Sequence, residues 1–349
     1  MTNPPPFWTL TARDQRALFA EASKRLKLPE HMVEKDAWVC WMVKRLFDLP
    51  DARDHFIFKG GTSLSKVWKV IHRFSEDIDI SLSREWLGYA GSHDPEAVTG
   101  KERKRRLEGL AANCAEKLRT NVLPAMRELF QTELGVKGWS LEVAADDAQT
   151  LLFLYPTVFG EASGDYVRPV VRIEGGARSD RWPVAEQALV PYVAEAFPEA
   201  FPKAAFTVPV LDAERTFWEK ATILHAEAHR AAEKATPERF SRHYADLAAL
   251  ALHVVGQQAL LRDDLRARVV EHKQVFFASA WASYQTAKPG SFRLIPSPQR
   301  LEFLAADYHA MHPMFFRSPP SWTEVVETLA QLEAVINAGV SPQMPHPSR

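Results

Sequence analysis

The sequence predicts an α/β (α+β) protein in which a mixed β-sheet half is followed by a helical half. Three observations carry this expectation. Residues 55–58 form a short apolar run that enters the pair Gly60-Gly61, and residues 77–82 alternate Asp-Ile-Asp-Ile-Ser-Leu. That is the order of a strand, a glycine turn into a helix, and a second strand. Three later segments, residues 139–145, 151–158 and 167–174, are alternating or solidly apolar, as further strands of one sheet would be. Past Gly175-Gly176 the spacing changes to that of amphipathic helices.

Taken in chain order, residues 11–47 have helical periodicity, 55–58 predict a buried strand, 62–71 a helix and 77–82 a strand. A polar stretch holding Gly88, Gly91 and Gly100 breaks the pattern. From Lys101 to about Leu134 the apolar positions Leu107, Leu110, Ala111, Cys114 and Leu118 keep helical spacing, which predicts one long basic helix or a helix pair inserted between strands. Helices are then expected at 184–196, 212–233, 237–255, 257–272, 299–309 and 322–338, with Asp212 a candidate N-cap. Prolines 191, 198, 202 and 209 mark the passage between halves near residues 175–210. The expected organisation is an N-terminal helical region at 1–50, a core at 51–180 with the basic helix inserted at 101–134, a helical domain at 181–340 and a tail at 341–349.

With 349 residues, 46% apolar and 25% charged, the chain has the composition of an ordinary water-soluble protein able to bury a large core. No window approaches the roughly 18 apolar residues of a membrane span. The opening Thr2-Asn3-Pro4-Pro5-Pro6 lacks the apolar core of a signal peptide, and two cysteines, Cys40 and Cys114, suit a reducing compartment. A cytoplasmic location without membrane attachment is expected. The net charge of −1 argues against general coating of nucleic acid. It leaves room for a local basic surface, and Lys101-Glu-Arg-Lys-Arg-Arg106 is either that or a solvated helix face.

The chemistry concentrates between Phe58 and Leu82. A glycine pair lets backbone amides approach phosphate oxygens, and the helix behind it adds its positive end. Asp77 and Asp79, on alternate strand residues, point to one face and would bridge Mg²⁺ ions that hold a triphosphate and activate a hydroxyl. Seen alone, the glycines would be a mere strand-to-helix turn; the carboxylates downstream argue otherwise. His225 and His229 lie one helical turn apart, but Ala226 stands where a zinc hydrolase needs glutamate directly after the first histidine. Trp8, Trp38, Trp41, Trp68, Trp86 and Trp139 are expected in the core or at domain contacts, and the two cysteines as small buried groups.

Taken together, Gly60-Gly61-Thr62-Ser63, Arg73-Phe-Ser-Glu-Asp77-Ile-Asp79, Val171-Arg-Ile-Glu174, Phe217-Trp-Glu-Lys220 and Arg242-His-Tyr-Ala-Asp246-Leu247 are similar, in this order, to the AbiEii/AbiGii toxin family of nucleotidyltransferases, over roughly residues 34–250. The resemblance implies a polymerase-β-like nucleotidyltransferase domain with the helical domain completing its active cleft. It also implies toxin activity in toxin–antitoxin or phage abortive-infection systems, and NMP transfer from an NTP, in some relatives to the 3′ end of tRNA. Carried over residue by residue, Gly60, Gly61 and Ser63 would hold the β- and γ-phosphates with support from Lys66. Ser75 lies in the site, and Arg73 contacts nucleotide or acceptor. Asp77 and Asp79 would be metal ligands, with Glu174 as third carboxylate or as base for the acceptor hydroxyl. Lys220 would neutralise charge on the transferred phosphoryl group, and Asp246 would fix Lys220 or a nucleotide.

Blander readings stand beside these. Glu174 would be a solvent-facing strand end, Lys220 would lie over apolar surface, and Asp246 would pair with Arg242 on a helix surface. His243 stands where many relatives carry an acidic residue three positions before the helical aspartate. The expected cofactor is Mg²⁺, with Mn²⁺ as a substitute, and the expected partners are an NTP, an RNA acceptor with tRNA first, and a cognate antitoxin. Two alternatives remain open: NMP transfer to a protein or small molecule, and a regulatory module that binds NTP without turnover.

Overall fold

The computed structural model describes residues 5–160 and 168–339, so the expected tail at 341–349 and the first residue of the strand expected at 167–174 lie outside the described residues. The chain divides into two compact units. The first comprises residues 1–67 and 74–210, the second 68–73 and 211–349. The second unit is thus discontinuous in sequence.

The first unit is built on a seven-stranded mixed sheet. Its strands are β1 (Phe56–Lys59), β2 (Ile78–Leu82), β3 (Ser140–Val143), β4 (Thr150–Leu154), β5 (Val170–Gly176), β6 (Val184–Leu189) and β7 (Phe206–Leu211), arranged in the order β3-β4-β5-β2-β1-β7-β6. β1 pairs antiparallel with β2 and parallel with β7, while β2 pairs parallel with β5. Two N-terminal helices, α1 (Ala12–Leu26) and α2 (Glu30–Phe47), belong to this unit. α1 starts at a Thr11 cap that accepts from the Asp14 amide, and Lys27 in the left-handed region ends it. A single turn, α3 (Ala52–His55), leads into β1, and α4 (Gly60–Lys66) follows it. α4 is shorter than the helix expected over 62–71, because residues 68–73 join the other unit.

Aromatic residues fill the space between α2 and the sheet. Trp38 and Trp41 are 1% and 3% exposed. Trp41 lies 4.7 Å from Phe130 and 5.7 Å from Phe153 between ring centroids. The inserted helix consists of α5 (Gly100–Lys117), a π-helical turn at residues 118–122, and α6 (Leu123–Leu134). Its buried Leu110, Cys114, Met126 and Phe130 explain the apolar spacing.

Further elements depart from expectation. The helix expected at 257–272 is split, one helix ending at Leu260 and the next beginning at Asp263. Residues 184–196 form β6 and a short helix α7 (Tyr192–Ala196) rather than one helix. Exposure alternates along Val184–Leu189, as period-two packing at a sheet edge requires. β7 was not foreseen at all. Through it the first unit reaches residue 210, beyond the expected 180, because Val210 pairs with Phe58 of β1.

The second unit is helical: α8 (Ala213–Ala228), α9 (Ser241–Leu252), α10 (Val254–Leu260), α11 (Asp263–Phe276), α12 (Pro298–Ala310) and α13 (Trp322–Ala338). Phe217, Leu224, Tyr244, Leu247, Val269 and Leu329 are fully buried within it. Asp212 occupies the N-cap position of α8 but makes no side-chain cap bond, whereas Ser321 and Glu324 form a capping box on α13.

Truncating Phe153→Ala should cost roughly 3–5 kcal/mol, the usual range for a buried phenylalanine. Urea unfolding followed by tryptophan fluorescence would measure it directly, since Trp38 and Trp41 ring this position.

Candidate active site

In the first unit the candidate residues gather where β1, α4 and β2 meet. Antiparallel pairing sets Lys59, the last residue of β1, across from Asp79. The chain must turn at the next residue, and it does so at Gly60 with φ +79°. A Cβ built at Gly60 would lie 1.9 Å from Oδ2 of Asp79. Glycine is therefore required twice over, by the left-handed backbone and by the carboxylate pressed against it. The Thr62 hydroxyl, fully buried, donates to the carbonyl of Asp77, so the first turn of α4 is also bonded to the entry of β2. Asp77 immediately precedes β2, and Asp77, Asp79 and Ser75 are all half-buried.

On the other side of β2 the parallel register pairs Asp79 with Glu174 of β5. The backbone position expected for a third carboxylate is present. The Glu174 carboxylate, however, lies 3.5 Å from Nε of Arg172, two residues back on the same strand. Among the described residues no three His, Cys, Asp or Glu side chains gather to hold a metal ion. Asp77 and Asp79 remain the candidate donors for a divalent cation, as oxygen ligands of the kind a hard cation takes. Mg²⁺ is commonly held in this way, by one or two carboxylates with substrate phosphates and waters completing its shell.

Two of the expected phosphate ligands make other contacts. The Ser63 hydroxyl donates to the Gly60 carbonyl at 2.9 Å. The Lys66 ammonium forms a buried ion pair with Asp36 of α2 at 2.8 Å and sits 3.4 Å from the centroid of the Tyr192 ring. Burial raises the Asp36 pKa, against the opposing pull of Lys66. The sequence reading did not single out the charged residues of α2 that these side chains meet. Glu34, Lys35 and Asp36 are each at most 2% exposed. The signal was available, as three consecutive charges flanked by Met32-Val33 and Ala37-Trp38.

The remaining candidates lie in the second unit. Arg73 donates two hydrogen bonds to Asp246, both 2.8 Å, in the bidentate geometry of strong arginine–carboxylate pairs. Lys220 of α8 reaches the same carboxylate at 2.8 Å, and its ammonium lies 3.4 Å from Nδ1 of His243. Asp246 is thus buried between two cations rather than paired with Arg242 on a surface. Burial on its own would raise the Asp246 pKa, but Arg73 and Lys220 together hold it far below the usual carboxylate range. Burial lowers the Lys220 pKa, Asp246 opposes this, and Arg73 adds to it. Burial and then the neighbouring Lys220 and Arg242 push the His243 pKa well down, leaving a neutral ring.

Other candidates resolve into structural roles. The His225 ring bonds to the Ser283 carbonyl and the Thr286 hydroxyl through Nε2, and its Nδ1 accepts from the Arg293 amide. On the basic run, Arg103 donates to the carbonyls of Pro95 and Val98, Arg106 donates to those of Ser92 and Asp94, and Glu102 accepts from Arg105 and Arg106. Lys101, Lys104 and Arg105 are exposed. A mostly apolar cavity of about 240 Å³ between α2 and residues 191–206 includes none of the expected site residues.

A family model described as "Nucleotidyl transferase AbiEii toxin, Type IV TA system" matches residues 41–331. The chain belongs to the AbiEii family. It is a nucleotidyltransferase of the toxin type, and the glycine turn, the aspartate pair and the helical lysine and aspartate all fall inside the matched span. Among curated protein sequences none matches. Among solved structures the AbiEii chain is similar to MenT4, a nucleotidyltransferase toxin from Mycobacterium tuberculosis H37Rv, at 14% identity and a TM-score of 0.34, over 84% of this chain and 98% of that one. That likeness is too slight to transfer a residue role.

Two outcomes follow from this geometry. Gly60→Ala should abolish nucleotidyl transfer, since the new Cβ displaces Asp79, and should cost roughly 1–3 kcal/mol in backbone strain, measurable by thermal melting. Asp246→Asn should destabilise the protein by roughly 3–5 kcal/mol at pH 7 by leaving two buried cations without their counter-charge. The folded pKa of Asp246 is depressed, so its contribution is complete above the unfolded value of about 3.9 and is lost as pH falls below it. The gap between wild type and Asp246→Asn in urea titrations should therefore narrow below about pH 4.

Proposed function

We propose that this protein transfers an NMP from an NTP to an RNA acceptor, with the 3′ end of tRNA as the first candidate, and so inhibits growth in a bacterial toxin–antitoxin or phage-defence system. The observation that carries the reading is the Asp79 carboxylate seated against the Gly60 turn, with Asp77 bonded into the same turn through its carbonyl. The NTP lies on the glycine turn with its β- and γ-phosphates toward the α4 amides. The acceptor 3′-hydroxyl attacks the α-phosphorus, the bond to the bridging oxygen breaks, and pyrophosphate leaves. Asp77 and Asp79 would hold Mg²⁺, or Mn²⁺ in its place, and such ions when bound neutralise the triphosphate and lower the pKa of the attacking hydroxyl.

Lys220 and Asp246 act as one unit in this reading. Asp246 holds the lysine charged and oriented, and Lys220 offsets charge on the phosphoryl group. Arg73, bonded to both oxygens of Asp246, fixes that carboxylate instead of contacting nucleotide itself. Glu174 is the candidate base for the acceptor hydroxyl, with Arg172 beside it. Exposed Lys101, Lys104 and Arg105 on α5 supply phosphate contacts for the acceptor, a smaller set than the whole basic run because Arg103 and Arg106 bind the loop before the helix. Among the described residues no helix is long and apolar enough to cross a membrane. The toxin is proposed to act in the cytoplasm beside its antitoxin.

The decisive experiment incubates the protein with total bacterial RNA, Mg²⁺ and each α-³²P-labelled NTP in turn, with products resolved on a denaturing gel. Labelling of a tRNA-sized band by wild type and its absence with Asp77→Ala or Asp79→Ala is the expected result. Label on protein or small molecules, resistant to ribonuclease, would replace RNA as the acceptor. Lys220→Ala should lower kcat more than it raises the KM for NTP. A variant that instead unfolds would assign Lys220 to packing.

A further inference from the structure

Burying a charge is costly, and α2 buries three in a row. Successive residues on a helix point about 100° apart, so each of the three reaches a different segment. Glu34 accepts from the Thr157 hydroxyl and the Val158 amide, both at 2.7 Å. Lys35 forms an ion pair with Glu76 at 2.5 Å and donates to the Arg168 carbonyl at 2.8 Å. Asp36 pairs with Lys66 at 2.8 Å and accepts from the Tyr192 amide at 2.6 Å.

The destinations of the last two residues are distinctive. Lys66 is the final residue of α4, and Glu76 is the residue immediately before Asp77. Between them residues 68–73 leave the first unit and join the second. The point where the chain departs and the point where it returns are therefore each tied by an ion pair, buried at Lys66 and half-buried at Glu76, to adjacent residues of one helix. Apolar residues of similar volume would hold these segments together at equal or better stability. What ion pairs add is a defined register between α4, which begins at Gly60, and the strand entry that carries Asp77 and Asp79.

We propose that Lys35 and Asp36 are positioning residues for the nucleotidyl-transfer site, holding the Asp77–Asp79 segment in register with the glycine turn through Glu76 and Lys66. This rests on the reading that Asp77 and Asp79 bind the divalent cation. Neither α2 residue touches substrate; both act through their partners.

The test measures Mn²⁺ binding by electron paramagnetic resonance in the presence of a non-hydrolysable NTP analogue, together with melting temperature, on the full chain. Lys35→Met alone strands Glu76 and is expected to be unstable. Lys35→Met combined with Glu76→Gln removes both charges and should restore the melting temperature to near wild type. The double variant should still bind Mn²⁺ roughly tenfold to a hundredfold more weakly, as losses behind a metal ligand commonly do. Its KM for NTP should rise alongside. A double variant that is stable and binds Mn²⁺ like wild type would reduce Lys35 to a packing residue and overturn the proposal. Asp77→Ala in the same assay separates the two claims. Lost binding upholds the site on which the clamp acts, whereas wild-type binding removes the site reading and the clamp with it.

Discussion

The contact between the backbone of Gly60 and the carboxylate of Asp79 constrains everything around it. β1 and β2 run antiparallel so that Lys59 faces Asp79, and the chain has one residue in which to turn into α4. Any side chain there would occupy the space of the carboxylate. The short α4, the bond from Thr62 to Asp77 and the parallel pairing that sets Glu174 beside Asp79 all lie within reach of that one turn. A loop could bring two aspartates together. Here strand pairing on both flanks fixes Asp79, and the bond from Thr62 to the carbonyl of Asp77 fixes that residue at the strand entry.

Charge is handled in opposite ways in the two units. Around α2, each buried charge meets one opposite charge or a set of hydrogen-bond donors, and the account closes near neutrality. Around Asp246, two cations share one carboxylate, and the nearby His243 is driven neutral rather than adding a third positive charge.

Much of this was legible in the sequence, and the exceptions share a physical cause. β1, β2, the glycine turn and α13 were visible because each is specified locally, by alternation, by Gly60-Gly61 or by helical spacing over 17 residues. β6 was taken for helix because Val184–Leu189 is short and at a sheet edge, where burial pressure is weak and its alternation faint. β7 carries Pro209, which argues for a break until its neighbours are known. Lys66 was expected on phosphate because its partner Asp36 lies 30 residues earlier on a helix whose charges look solvent-facing in a linear reading. Asp246 was legible as a candidate, but its arginine partner lies 173 residues away, a distance no local pattern bridges.

The discontinuity of the helical unit has a consequence for how the protein is made. Trp68 to Arg73 emerge early from the ribosome, yet the helices they belong with are encoded after residue 210. Until α9 is synthesised, Arg73 has no Asp246 to grip, and a nascent chain halted before that point holds the glycine turn and the aspartate pair but not the lysine–aspartate unit. The helical unit therefore cannot close around Trp68 to Arg73 until more than half of the chain has been made.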